Sequence, residues 1–319
     1  IGKGVAIPLF TTDIDGETRS ETTPDIGADE FANDLLDAAL FWNFPVGAMC
    51  SAGNTITVEL KNTNGTSIET ADLSYSDGTT TVNQTFSDLN VASDSSVFLS
   101  FSTPYDAPSS GNLFAYINSI NTVTDAFQTN DTTEVQNLTI GMNGAYTINT
   151  ALPTNGTNFA SITEAVTALT TNGICGAVEF SIASGTYNER ILLPQIKGSS
   201  AANTLLFQSA TGNPADVIIQ KDWKTLMLEG VDYVSFKNLT LKSTGTTSSY
   251  VVTIDKSSTH ITFEGNILTG YNGTSSAATC SLVFSETLST APSTCDSHIT
   301  FRSNRFIYGS HAILFDGDN

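Results

Sequence analysis

From residue 174 onward the apolar residues come in short alternating triplets: Val178-Glu-Phe180, Ile191-Leu-Leu193, Leu205-Leu-Phe207, Val217-Ile-Ile219 and Leu226-Met-Leu228. Alternation with a period of two over so few residues predicts short strands. A repeat then becomes visible. Tyr233-Val-Ser-Phe-Lys-Asn238 aligns with His260-Ile-Thr-Phe-Glu-Gly-Asn266 and with His298-Ile-Thr-Phe-Arg-Ser-Asn304. A second strand precedes each of them, and Leu228, Ile254, Phe284 and Phe315 mark that strand at steps of 26, 30 and 31 residues. A period of that size with paired short strands predicts a β-solenoid, in which inward residues of one coil bury against the next. Asn238, Asn266 and Asn304 are the expected turn residues, since Asn tolerates left-handed backbone and can stack on its neighbours.

Residues 50–140 alternate differently. Thr55–Leu60, Ala71–Tyr75, Thr81–Phe86, Val97–Phe101 and Leu113–Ile117 read as strands, with turn signals such as Asn64-Gly65 and Asp77-Gly78 between them. Turns every eight to twelve residues over about ninety residues predict a β-sandwich of immunoglobulin type. Helical spacing occurs at 157–171, where Phe159, Ile162, Ala165, Val166 and Leu169 share a face. Asn33–Leu40 reads as one or two helical turns capped by Asn33, inside a connector over 32–49. The aromatic trio Phe41, Trp42 and Phe44 in that connector is expected to pack at an interface between neighbouring domains. The predicted fold class is therefore all-β: an Ig-like sandwich at 50–141, flanked by the terminal coil of one parallel β-helix at 1–31 and by a capping helix and first coils of another at 142–319.

Composition narrows the function. Twelve basic against 32 acidic residues give the 319-residue chain a net charge of −20, which repels nucleic acid and anionic membranes. No apolar run reaches the 18 residues of a membrane helix. Ile1 is not an initiator Met and no signal peptide follows it, so the sequence reads as a window onto a longer precursor. Of the four cysteines, Cys280 and Cys295 bracket a Ser/Thr/Pro-rich excursion and form the candidate disulfide of an oxidising compartment. Cys50 and Cys175 read as buried thiols.

Three segments resemble known families. Pro24-Asp-Ile-Gly-Ala-Asp-Glu-Phe31, after Asp13-Ile-Asp-Gly16, resembles the closing segment of right-handed parallel β-helix domains in secreted surface proteins of Bacteroidota. The middle segment is similar to the adhesion-type Ig-like modules beside such helices. Tyr146-Thr-Ile148, Asn158–Ile162, Gly176-Ala-Val178 and Gly185-Thr-Tyr-Asn-Glu189 resemble the opening of pectinesterase-like β-helices. These resemblances imply type IX secretion, a location at the cell surface, and giant adhesins or filaments. Their implied partners are neighbouring repeats of the same protein, further copies in a homo-oligomeric bundle, and cell-surface glycans or cells.

The candidate chemistry is sparse. Gly185, Tyr187 and Glu189 match an early pectinesterase motif, but that family's Gln-Asp-Thr, Asp-Phe-Ile-Phe-Gly and Leu-Gly-Arg-Pro-Trp motifs are absent from the sequence. Lys221, Lys224, Lys237 and Lys242 with Asp222 and Asp232, and Arg302 and Arg305, are the residues a polysaccharide lyase would draw on. His260 and His298 occupy equivalent repeat positions, as a metal pair or as stacked turn residues. Asp13 and Asp15, and Asp316 with Asp318, resemble fragments of calcium loops. The expected function is structural and adhesive rather than catalytic. A secreted carbohydrate-active enzyme and a glycan-binding module are the alternatives.

Overall fold

The computed structural model describes residues 4–7, 11–14, 16, 18–22, 24, 26–27, 36–43, 48–63, 65–107, 111–246, 249–273, 276–286 and 296–316. β-branched and aromatic residues alternating with Ser, Thr and Asn favour pleated strands over helices. The described chain is accordingly almost all β, with one α-helix, at Ile162–Asn172. It divides into two compact units. Unit 1 comprises Ile1–Pro45, Thr55–Tyr105 and Gly111–Asn137, and unit 2 comprises Val46–Asn54, Asp106–Ser110 and Leu138–Asn319.

Unit 1 is antiparallel. Thr57–Asn62 pairs with Ala38–Trp42 on one side and Ser96–Ser100 on the other. Ala71–Ser76 lies between Thr81–Phe86 and Gly111–Ile120. Tyr75 meets Phe101 edge-on at 4.9 Å and Tyr105 at 5.8 Å, and Val58, Leu60, Leu73, Leu113 and Ala115 are fully buried. The Asp77-Gly78 turn predicted from the sequence forms. Asp77 Oδ1 accepts from the N–H groups of Thr79 and Thr80, and the Thr80 bond leads in holding its carboxyl down at about 2.

One expectation here is corrected. The stretch read as helical turns is a strand over Ala38–Trp42, because its apolar residues find a partner strand: Leu40 pairs opposite Leu60. Helical spacing in so short a run is overridden by tertiary pairing. Its proposed cap, Asn33, lies outside the described residues.

Unit 2 is parallel and repetitive. The helix begins at Ser161, whose side chain accepts from Glu164 N at 3.1 Å, and ends at Gly173 with φ of 68°. Its Ile162, Ala165 and Leu169 bury into the same core as Ile148, Phe180 and Ile182. The helix thus starts five residues later than its spacing predicts, because Asn158–Phe159 pairs as a short strand with Met142–Ile148.

Beyond the helix the chain visits three sheets in fixed order. Leu205–Ser209, Val217–Lys221 and Trp223–Glu229 make one turn, and Asp232–Lys237, Thr240–Ser243 and Ser249–Asp255 make the next. Each strand pairs in parallel with its counterpart one turn later. The second and third sheets reach five strands, ending at Arg305–Ile307 and Ile313–Asp316.

Stacked turns bring equivalent residues together. Phe180, Phe207, Phe236, Phe263 and Phe301 form one inward column with ring separations of 4.9, 5.5, 5.3 and 5.1 Å. Those distances follow the strand spacing of about 4.8 Å. Two registers differ from the sequence alignment. Ile254 pairs with Ser285, not Phe284, so a polar residue takes the inward place in that turn. Ser285 is satisfied there by donating to Asp296 Oδ2 at 2.8 Å. The second difference, at Asn238, is a matter of turn chemistry.

Candidate functional site

Three successive turns of unit 2 enter its first sheet through a residue in left-handed conformation. Tyr233, His260 and His298 have φ of 56°, 53° and 54°. L-residues adopt this region at a cost, and bulky ones rarely. Here three successive turns share it, and the rings stack: Tyr233 on His260 at 4.4 Å, and His260 on His298 at 4.4 Å with planes 4° apart. His260 Nδ1 lies 3.0 Å from Thr259 Oγ1 and His298 Nδ1 lies 3.1 Å from Ser297 Oγ, so each ring is oriented by its preceding hydroxyl. Of the two alternatives, the stacked turn residue is what forms.

A second ladder leaves the same strands. Asn266 Oδ1 accepts from Leu239 N at 2.9 Å, and Asn266 Nδ2 donates to Phe236 O at 2.8 Å. Asn304 repeats the pattern on Asn266 N and Phe263 O. Asn238 is not the third member. It sits one residue earlier, with φ of 52°, where the other turns place Gly265 and Ser303 at 65° and 56°. Pairing of Phe236 with Phe263 leaves Leu239, not Asn238, opposite Asn266. Sequence alignment on the Asn residues therefore slips by one.

The residues of the pectinesterase-like motif make local bonds that fasten the coil and the helix. Tyr187 is buried and its hydroxyl donates to Ala183 O at 2.8 Å and Ile148 O at 3.2 Å; burial foremost, then the Glu189 charge, pushes its pKa up. Glu189 accepts from Ile162 N, Thr163 N and Thr163 Oγ1 at 3.2, 2.8 and 2.6 Å, fastening the start of the helix. A carboxylate there satisfies exposed N–H groups and faces the positive end of the helix dipole.

The lysines expected to act with acids are dispersed. Lys237 and Arg302 both pair with Glu264, at 3.6 and 3.3 Å, on the outer face of the first sheet. Asp232 accepts from Thr259 N and Oγ1. Lys221 and Lys242 offer their backbone carbonyls to Thr225. Lys224 stands over the Trp223 ring at 4.8 Å, with the Arg190 guanidinium 5.5 Å from the same ring. Arg190 is itself held by the carbonyls of Lys224 and Asp222. Trp223 is 45% exposed, so this cation–aromatic group faces solvent. The sequence reading noted Lys224 and Asp222 but passed over Trp223 and Arg190. The signal was an aromatic between two charged residues in Asp222-Trp223-Lys224.

In unit 1 an acidic cluster was missed altogether. Asp125 is buried, taking bonds from Ala38 N at 2.8 Å and Phe127 N at 3.0 Å. Asp37 accepts from Thr63 Oγ1 and from Asn130 Nδ2. Asp131 is 8% exposed, and Asp131 Oδ1 and Asn130 Oδ1 are buried with no hydrogen-bond partner. Desolvation, then the charges of Asp125 and Asp37, pushes Asp131 up to about 6. Burial likewise raises Asp125. Among the described residues, no group of three or more His, Cys, Asp or Glu side chains is placed to hold a metal ion.

The remaining candidates divide. Trp42 Nε1 donates to Glu134 O at 2.7 Å, tying its indole into unit 1, while Phe41 is 49% exposed. Phe44, Asp15, Cys295, Gly317 and Asp318 lie outside the described residues, as does the Asp316 side chain. Asp13 O accepts from Gly16 N, and Thr12 bridges Thr18. Cys280 is buried. Cys50 and Cys175 are not thiols. They form a disulfide, with Cα atoms 5.3 Å apart. Strand pairing of Ala48 and Met49 with Thr139 and Ile140 carries Cys50 toward Cys175, a proximity that sequence spacing cannot report.

Comparison with known proteins adds little to this geometry. No protein-family model matches the chain. No curated protein matches it either. Among solved structures, the CARDB domain of a Pyrococcus furiosus protein, determined in complex with di-metal ions, is similar at 16% identity; the match covers 36% of this chain and 98% of that one, with a TM-score of 0.27. A score so low supports no inference about metal or function. No helix of the described residues is long and apolar enough to cross a membrane.

Proposed function

We propose that this chain is a structural and adhesive segment of a large extracellular repeat protein that forms a cell-surface fibre. In this reading unit 2 is the beginning of a right-handed parallel β-helix and unit 1 an Ig-like sandwich. The observation that carries it is the column of five phenylalanines, flanked by asparagine and ring ladders that repeat from turn to turn. Such columns give stiffness along the stack, since each turn is held by the next. Two acids that a reaction could draw on are engaged in fastening the fold, Glu189 at the helix start and Asp232 on the next turn. Neighbouring repeats and further copies of the chain are the expected partners, and the cell surface is the expected location.

Beads coated with the chain test this. Retention on cells or glycan-coated surfaces under flow, above that of beads coated with an unrelated acidic protein, supports adhesion; equal wash-off removes it.

One observation favours a glycan-binding reading of the same segment: exposed Trp223 between Arg190 and Lys224. Aromatic faces and cations are the groups that take sugar rings and their acidic substituents. A glycan array comparing the native chain with Trp223→Ala separates this from adhesion through protein contacts. Incubation with pectin and alginate tests the enzymatic alternative. Release of methanol or unsaturated sugars would establish turnover and refute the non-catalytic reading.

A further inference from the structure

Cys50 and Cys175 are separated by 125 residues and joined covalently. The closed loop contains the unit 1 strands from Thr57 to Ile120, and also the Met142–Ile148 strand and the helix of unit 2. One strand of unit 1, Ala38–Trp42, lies before the loop. The chain is therefore fastened into unit 2 at Cys50 before it builds most of unit 1.

The surroundings of the bond are shaped for this approach. Gly141 N donates to Met49 O at 2.8 Å. A side chain at Gly141 would meet Ala48 Cβ at 2.6 Å and Cys175 N at 2.9 Å. One at Gly173 would come within 3.1 Å of Ala48 Cβ. Glycine at both positions lets the Ala48–Cys50 segment lie directly against the start of the coil.

We infer that this disulfide is a tension clasp, which carries force from residue 50 directly to residue 175 and leaves the strands between them off the line of force. Force follows the shortest covalently connected path, whereas a strand pair held by hydrogen bonds gives way bond by bond. Ala38–Trp42 remains on the loaded path and is held there by its pairing with Thr57–Asn62. The rest of the sandwich hangs from the path as a closed side loop and keeps its fold while the coil is pulled. The tension itself rests on the fibre reading proposed above, but the connectivity does not.

The test is single-molecule stretching of the chain tethered by its two ends, in a Cys280→Ser background so that this bond alone is under study. With the bond closed, the 125 residues of the loop add nothing to the extension; reduction adds ~430 Å, at about 3.3–3.6 Å per residue. Cys50→Ser/Cys175→Ser shows the longer extension without reductant. If that variant fails to fold, reductant added to the native chain held at constant force reads out the same step. A non-reduced chain that releases the full length, or a reduced chain that gains none, overturns the clasp. A chain that shows the step yet forms no extended particles defeats the fibre reading alone.

Discussion

Unit 1 and unit 2 bury the same kinds of residue in opposite ways. In unit 1, Tyr75 meets Phe101 and Tyr105 at interplanar angles of 88° and 82°. In unit 2, Phe207, Phe236 and Phe263 lie 12° and 15° from parallel. Edge-on contact suits a core where each residue has different neighbours, while offset stacking is what translation along a coil imposes. Polar groups follow the same division. The Asn266–Asn304 ladder satisfies itself because the same amide recurs one turn on. The Asp37, Asp125 and Asp131 group has no repeating partner and leaves Asp131 Oδ1 without a bond. Repetition thus satisfies the amide ladder, while groups outside a repeating row are left without a bond in either unit, as Asp131 Oδ1 is in unit 1 and Ser249 Oγ in unit 2.

The most damaging way to break this contrast is inside the phenylalanine column. Phe236→Ala removes a fully buried ring and both stacking contacts, and costs about 3–5 kcal/mol by denaturant unfolding of unit 2. A loss below about 1 kcal/mol would mean that the turns do not depend on their column. Next comes the amide ladder. Asn266→Ala strands Leu239 N and Phe236 O and costs about 1–3 kcal/mol, read from the same unfolding curves.

In unit 1 the expected effect has the other sign. Asp131 rises from its ordinary 3.8 to about 6 in the folded chain. The folded state therefore holds its proton more tightly than the unfolded state does, and stability falls as pH rises through that window. Unit 1 should melt at a higher temperature near pH ~5 than near pH ~8. Asp131→Asn should flatten that dependence and raise the melting temperature at the higher pH. Asp77, held down at about 2, titrates below this window and does not confuse it. The smallest effect belongs to the outer face. Glu264→Gln loses the pairs with Lys237 and Arg302, and should cost at most about 0.5 kcal/mol, fading with added salt.

The same contrast explains what could be read from the sequence. Phe236, Phe263 and Phe301 were legible because translation repeats their flanking residues. Phe180 and Phe207 belong to the same column, but their strands lack the left-handed aromatic before them and so escaped the alignment. Register was less legible than existence. Asn238 shifted by one because Gly265 and Ser303 occupy its place, and Ser285 displaced Phe284 from the inward row. Unit 1 was legible as strands and turns, yet its acidic cluster was not. Asp37 and Asp125 lie far apart in sequence, and nothing periodic links them. Ala38–Leu40, the end of the stretch read as helical turns, looked helical because a strand that pairs on distant residues carries no local mark of it.

Electron microscopy of the purified chain over a range of concentrations tests the central claim, a stiff structural segment that associates with its own kind, most directly. The account expects extended particles that lengthen or bundle as concentration rises. Compact globular monomers at every concentration would contradict it.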